Sequence, residues 1–464
     1  MESTRVPNAR LRALLHEAEW SGTALAQAVN ALGAENGLRL SYSRSSVAQW
    51  LAGTSPRRVV APLIVEALGR RLSRPVTAFD AGLASLPDVR PANPSRRLDP
   101  ARTLTFLAVS HGQKPRPPDR GSSPAPYSID VLAQMSGACP PASPAFQSGP
   151  TLSPVRLTPE HVQAAREILT VFARTDHMWG GGHARQALET YLRAVVVPAL
   201  LLPGGRATRG SMRETASKLA YLCGFVNFDA GRHGPAQHYY VTALHLAEEA
   251  GNGGLRALAL RALSVQAESL GHALPALHLA RASFDTARPD NLAPDSMAFL
   301  LGQVSVAEAA AGDRQAALSA LTRAESYLDR TDNERADPGV GIYHHGSLAL
   351  QRAAVASRFG QHAAAVRALE SSLRHRPADE RRSRVMTLAR LAQEQLLIGH
   401  LDAACATWHV FCDEYPFLRS GRAEQALHAA YQRIRPHSSS PHAKALIARI
   451  TELRAAHGPG RRPD

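Results

Sequence analysis

Between residues 182 and 404 six glycines spaced 39 to 49 residues apart are each followed five positions later by an alanine. The pairs are Gly182/Ala187, Gly231/Ala236, Gly271/Ala276, Gly312/Ala317, Gly360/Ala365 and Gly399/Ala404, with successive glycines 49, 40, 41, 48 and 39 residues apart. Self-similarity at that period marks stacked supersecondary units, none of which buries its apolar face alone. Glycine supplies the left-handed backbone that ends a helix, and alanine early in the next helix lets the two axes approach. Nine residues after each glycine stands a bulky side chain (Tyr191, Tyr240, Leu321, Leu369, Trp408), with Ala280 as the exception. Twelve after it come Ala194, Ala243, Ser283, Ala324 and Ser372, with Phe411 breaking the pattern. A chain written this way is constrained to an array of helical hairpins over most of residues 160–420.

The small-large-small order resembles the tetratricopeptide repeat, at a period about 5–15 residues above the usual 34. The excess implies longer helices or longer connections. Residues 157–464 therefore read as a tetratricopeptide-like α-solenoid, with 422–456 as a terminal helical cap. Upstream lies a stretch with 14 prolines from Pro87 to Pro154. Proline at that density neither donates ladder hydrogen bonds nor continues helices, so residues 84–156 are expected to form a semi-extended, largely disordered linker. The apolar island Arg102 to Ser110 reads either as a short strand or as a docking segment.

Residues 1–83 form the third zone. Ser21 caps a helix whose stripe is Leu25, Ala26, Val29 and Leu32. After a longer connection, Ser43 caps a second helix with Val47 and Leu51 facing inward and Gly53 ending it, and Pro56-Arg57-Arg58 precedes a third. This order resembles the helix-turn-helix domains of phage-repressor type, with a turn from Leu32 to Tyr42 longer than theirs. The resemblance implies that Arg44, Ser45, Ser46 and Gln49 face a major groove, where Arg and Gln pair bidentately with guanine and adenine edges. Arg57 and Arg58 would sit at the sugar-phosphate backbone, and Ser21 and Thr23 would offer hydroxyl and helix-end N–H groups to phosphate.

Two repeat segments are more distinctive than the general register: Asp176 to Arg193, including Gly180-Gly-Gly-His183-Ala-Arg185, and Ala220 to Tyr239. Both resemble segments of the actinomycete helix-turn-helix/tetratricopeptide regulators, a family tied to sporulation and antibiotic production. With the N-terminal domain, the resemblance spans nearly all the chain outside the linker. The glycine run is read as a turn locked by an Asp176–Arg185 ion pair, or alternatively as an anion cradle. Tyr221, Phe225, Asn227, Phe228 and Asp229 are read as a groove for an extended peptide or other ligand, or alternatively as inter-repeat core.

Composition narrows the function class. The net charge is +14, but 50 of the 53 cations are Arg, a skew that codon usage explains as well as selection does. The local excess carries more weight: residues 39–74 hold Arg39, Arg44, Arg57, Arg58, Arg70, Arg71 and Arg74 against Glu66 alone. The most apolar run, Val195 to Leu202, is too short to span a bilayer. No signal-peptide pattern opens the chain, and Cys139, Cys223, Cys405 and Cys412 show no framework or metal spacing. No HExxH, GxSxG or GxxxxGK[ST] occurs, so no enzyme, cofactor or metal site is expected. The expectation is an all-α cytoplasmic, nucleoid-associated transcriptional regulator. It would bind double-stranded DNA as a homodimer, and its repeats would carry dimerisation and take a peptide, protein or small-molecule effector. The alternatives are a repeat scaffold without DNA contact, and a peptide- or metabolite-sensing receptor.

Overall fold

Each helix of the N-terminal domain begins at a residue suited to starting one. In α1 (Ala9–Glu17) the Asn8 side chain accepts from the Leu11 N–H at 2.9 Å, and in α2 (Gly22–Glu35) Ser21 Oγ accepts from Ala24 at 3.2 Å. At the head of α3 (Arg44–Leu51) Ser46 Oγ accepts from the Ser43 N–H at 3.3 Å, and α4 (Ala61–Leu72) has proline in its first turn. The inward stripes Leu11, Leu25, Val29, Val47, Leu63, Ile64 and Leu68 make one core with Trp50. This computed structural model describes residues 6–36, 38–57, 59–83, 100, 103–104, 107, 127–133, 155–287, 292–330 and 343–456. Arg58 and most of the linker lie outside them. All regular structure among the described residues is helical, with no strand.

The remaining helices are α5 (Ile129–Ala133), α6 (Pro159–Trp179), α7 (Gly181–Tyr191), α8 (Val197–Leu201), α9 (Arg206–Asp229), α10 (His233–Ala250), α11 (Gly253–Ser269), α12 (Ala273–Thr286), α13 (Pro294–Ala311), α14 (Arg314–Leu328), α15 (His345–Arg358), α16 (His362–Arg374), α17 (Arg381–Leu397), α18 (Leu401–Glu414), α19 (Gly421–Ile434) and α20 (Pro441–Ala456). The chain divides into two compact units. One comprises Met1–Val162, Glu189–Gly224 and Arg232–Ser283; the other comprises Gln163–Leu188, Phe225–Gly231 and Phe284–Asp464.

Gly231, Gly271, Gly312, Gly360 and Gly399 all take positive φ, between 70° and 96°, at the expected helix turns. The following helix begins two residues later each time, and its fourth residue (Ala236, Ala276, Ala317, Ala365, Ala404) is fully buried. The first hairpin departs from the expected register. Its turn glycine is Gly180, with φ 81°, and α7 starts one residue later. The buried fourth residue is thus Ala184 at 4% exposure, while Ala187 faces solvent. The bulky core position is Leu188, fully buried, and Tyr191 is only partly covered.

Serine at the second small position has a role that the pattern did not reveal. Ser283 Oγ donates to the Ala257 carbonyl at 2.7 Å and Ser372 Oγ to the Gly346 carbonyl at 2.6 Å, each binding one helix of a hairpin to the other across 26 residues. Ser217 reaches Ala243 across the same separation at 2.7 Å. A hydroxyl that donates to a main-chain carbonyl satisfies itself while keeping the small volume that close helices need. In the second unit the apolar core of α17 to α20 centres on Trp408, Phe411, Leu427 and Ile450. In the apolar island Leu104 and Leu107 are 0% and 1% exposed, and its described residues, Thr103, Leu104 and Leu107, are helical.

Candidate nucleic-acid interface

The long connection between α2 and α3 is a braced structure. Asn30 on α2 donates from Nδ2 to the Tyr42 carbonyl at 2.9 Å, and its Oδ1 accepts from the Tyr42 N–H at 2.8 Å. One amide thus closes both main-chain groups of the residue before the α3 N-cap, Ser43. The Tyr42 ring tilts against Trp50 with centroids 5.2 Å apart, anchoring the turn to the core. Gly33 leaves room for Leu40, whose side chain occupies the space a Cβ would need. Asn30 was not among the residues expected to matter. The signal was an uncompensated amide on the half-buried face of α2.

Held this way, α3 turns Val47 and Trp50 inward and leaves Arg44, Ser45, Ala48 and Gln49 exposed. Arg44/Ala48 and Ser45/Gln49 are four apart, so they share one face. Ala48 adds a small exposed residue to that face, beside Arg44 and Gln49. Ser46 is only half-exposed and spends its oxygen on the Ser43 N–H, and Ser45 Oγ lies 2.7 Å from Ser43 Oγ. Both serines therefore shape the helix start. Ser21 caps α2, and Ser21 and Thr23 are exposed.

The arginine-rich stretch 39–74 sorts into two kinds. Arg70 makes two 3.0 Å bonds to the Glu35 carboxylate and one of 2.8 Å to Glu66. Burial alone would weaken the Arg70 cation; the two carboxylates outweigh this and raise its pKa above the usual value. Arg71 Nε donates to the Ala18 carbonyl at 2.9 Å. Arg74 grips Glu17 at 2.9 and 2.6 Å, holding that carboxyl below its ordinary range. These three arginines staple α4 to α1 and α2. Arg39, Arg44 and Arg57 are exposed, and no ion pair engages them among the described residues. The basic surface is thus narrower than the count of seven suggests.

Of the five residues read as a groove, Tyr221 and Phe225 are partly exposed and the other three are buried. Asn227 and Asp229 are fully buried and Phe228 is 3% exposed. In the second unit the Arg382 guanidinium lies 4.4 Å above Phe225 and Arg422 lies 5.0 Å above Phe228. Asp229 accepts from Ser420 Oγ at 3.0 Å. In the first unit Tyr221 tilts against Tyr240 with centroids 5.8 Å apart. Asp176 pairs with Arg382 at 3.2 Å instead of Arg185, because it is buried where α17 passes. Burial pushes the Asp176 carboxyl up to about 6; Arg382 opposes this and nearby Asp229 adds to it.

The glycine run is spent on backbone contact. Gly182 N–H donates to the Arg419 carbonyl and Arg419 N–H to the Trp179 carbonyl, both at 2.8 Å. A Cβ on Gly182 would stand 2.8 Å from Arg419 O, and one on Gly181 2.7 Å from Val226 Cβ. Packing, not an anion, explains these glycines. Among the described residues no group of three or more His, Cys, Asp or Glu converges as a metal would need, and no helix is long and apolar enough to cross a membrane.

A family model described as the SP15 N-terminal domain matches residues 11–84, which places a recognised domain on the four helices α1 to α4. No curated protein matches the sequence.

Proposed function

We propose that the chain is a sequence-specific DNA-binding transcriptional regulator, with residues 1–83 as a helix-turn-helix reader and the hairpins as tetratricopeptide-like repeats. The observation that carries the reading is the exposed face of α3, with Arg44, Ala48 and Gln49 side by side and α2 bracing its start through Asn30. Arg and Gln are the side chains that read guanine and adenine edges, and exposed Arg39 and Arg57 suit phosphate contacts. One such domain contacts a single half-site, so the working form is a homodimer. On the resemblance of its repeats, the targets are genes of sporulation and antibiotic production, and the protein works in the cytoplasm on the nucleoid.

The test is selection of genomic fragments by the purified chain, followed by gel shifts across a salt series. Specific fragments should bind with affinity falling steeply as salt rises. Arg44→Ala with Gln49→Ala should erase the preference between selected and random fragments, while residual binding keeps its salt dependence. Absence of any salt-dependent DNA binding would leave the repeat scaffold as the better reading.

A further inference from the structure

Within the first unit, residues Tyr127–Leu132 of the linker are packed against the repeats, and the manner of packing is that of a bound peptide. Gln237 on α10 is fully buried, and its amide closes both main-chain groups of Ser128: Nε2 donates to the Ser128 carbonyl at 2.9 Å, and Oε1 accepts from the Ser128 N–H at 3.0 Å. A buried amide that pairs with backbone alone holds the main chain whatever its side chains, here at the residue before α5. Side-chain selection comes from the flanks. The Tyr127 ring is 2% exposed and stacks on fully buried His272 with centroids 5.6 Å apart and planes 11° from parallel. Ile129, Val131 and Leu132 are each buried to 8% exposure or less.

His272 faces the N-terminal domain on its other side. Its Nε2 lies 3.1 Å from Glu66 Oε1 on α4, and the same carboxylate oxygen accepts from Arg70. Glu66 keeps Arg70 as a partner if His272 moves, so parting the two costs the N-terminal domain no ion pair. The Tyr127 ring stacks on a face of the imidazole while Nε2 at the ring edge makes this contact. Among the described residues the Tyr127 hydroxyl is buried without a partner. Leaving such a group unpaired is unfavourable, so the segment fills its site imperfectly.

We infer that Tyr127–Leu132 is an intramolecular ligand in a peptide site built from Gln237 and His272, and that its occupancy holds α4 against the repeats. The chemical class the site takes is a short peptide whose clamped residue opens a helical turn, with an aromatic residue before it and aliphatic residues on the turn after it. An aromatic without a hydroxyl fits better than tyrosine. A peptide in trans must compete with a segment tethered at an effective concentration of order millimolar. The site is therefore closed until a tighter peptide arrives or the segment is altered.

Hydrogen exchange on the full-length chain tests the cis complex without DNA. The Ser128 amide and its neighbours should be protected in the wild type. Gln237→Ala should speed their exchange at least tenfold and loosen α4, Ser128→Ala should leave them unchanged, and Tyr127→Phe should slow them further. The trans test uses a fluorescent peptide of residues 124–134, read by anisotropy. Tyr127→Ala in the chain should strengthen its binding at least tenfold, and adding Gln237→Ala should abolish the gain. Exchange at free-peptide rates in the wild type, or peptide binding indifferent to Gln237, would overturn the inference. Neither outcome bears on whether α3 reads DNA.

Discussion

Asp176 shows what a single buried group does to the second unit. Its carboxyl is pushed to about 6 in the folded chain, above the ordinary value near 4, so the folded state holds the proton more tightly than the unfolded one. Stability is therefore lost as pH rises from about 4 through 6, where the ionised form must sit desolvated beside Asp229. Urea titrations of Asp176→Asn and wild type should show the variant gaining up to about 3 kcal/mol relative to wild type between pH 4 and pH 7.5. A difference that does not vary with pH would refute the assignment. Glycines give a second contrast at this scale. Gly181→Ala drives a Cβ into Val226 and should cost about 1–3 kcal/mol, whereas Gly210→Ala, with nothing within 4 Å, should add about 0.5–1 kcal/mol. The residue type at both positions was plain from the start. Which glycine was crowded depended on Val226 of α9, 45 residues from Gly181.

At the scale of the element, the hairpin register was readable because it rests on local rules. A glycine in left-handed conformation ends one helix, and the fourth residue of the next must be small for the axes to close. The count from the glycine shifts in the first hairpin because the turn glycine is Gly180 in place of Gly182 and the turn is one residue shorter, which together move the core position from Tyr191 to Leu188. Leu188→Ala should therefore cost about 2–5 kcal/mol in chemical denaturation and Tyr191→Ala far less. The turn before α3 works differently. It is longer than the turn of the domains it resembles, and Asn30 and the Tyr42–Trp50 contact brace it. Asn30→Ala leaves both Tyr42 main-chain groups without that partner and should cost about 1–3 kcal/mol. It should also weaken DNA binding more than an exposed Gln27→Ala control does, as gel shifts of the two variants would show.

For the whole molecule, charge and coverage decide which surfaces remain for partners. Arg70, Arg71 and Arg74 are consumed inside the N-terminal domain, and Arg39, Arg44 and Arg57 remain exposed. If Arg57 touches phosphate, Arg57→Gln should lower the salt slope of DNA binding by about 0.9 per contact, and Arg74→Gln should cost stability without changing that slope. The sequence by itself determined the helical class, the places where helices turn and the inward stripes, since periodicity, caps and glycine act over a few residues. It also drew attention to the segments around Asp176 and Asp229, as unusual runs of glycine, aromatic and acidic residues. Tertiary structure alone decided what those segments are for. Burial assigned Asp176 and Asp229 to the neighbourhood of Arg382, not to Arg185 or a ligand, and it turned Tyr127–Leu132 from a stretch of linker into a docked segment. A side chain's partner across two hundred residues follows from which helices stack, and spacing along the chain does not carry that information.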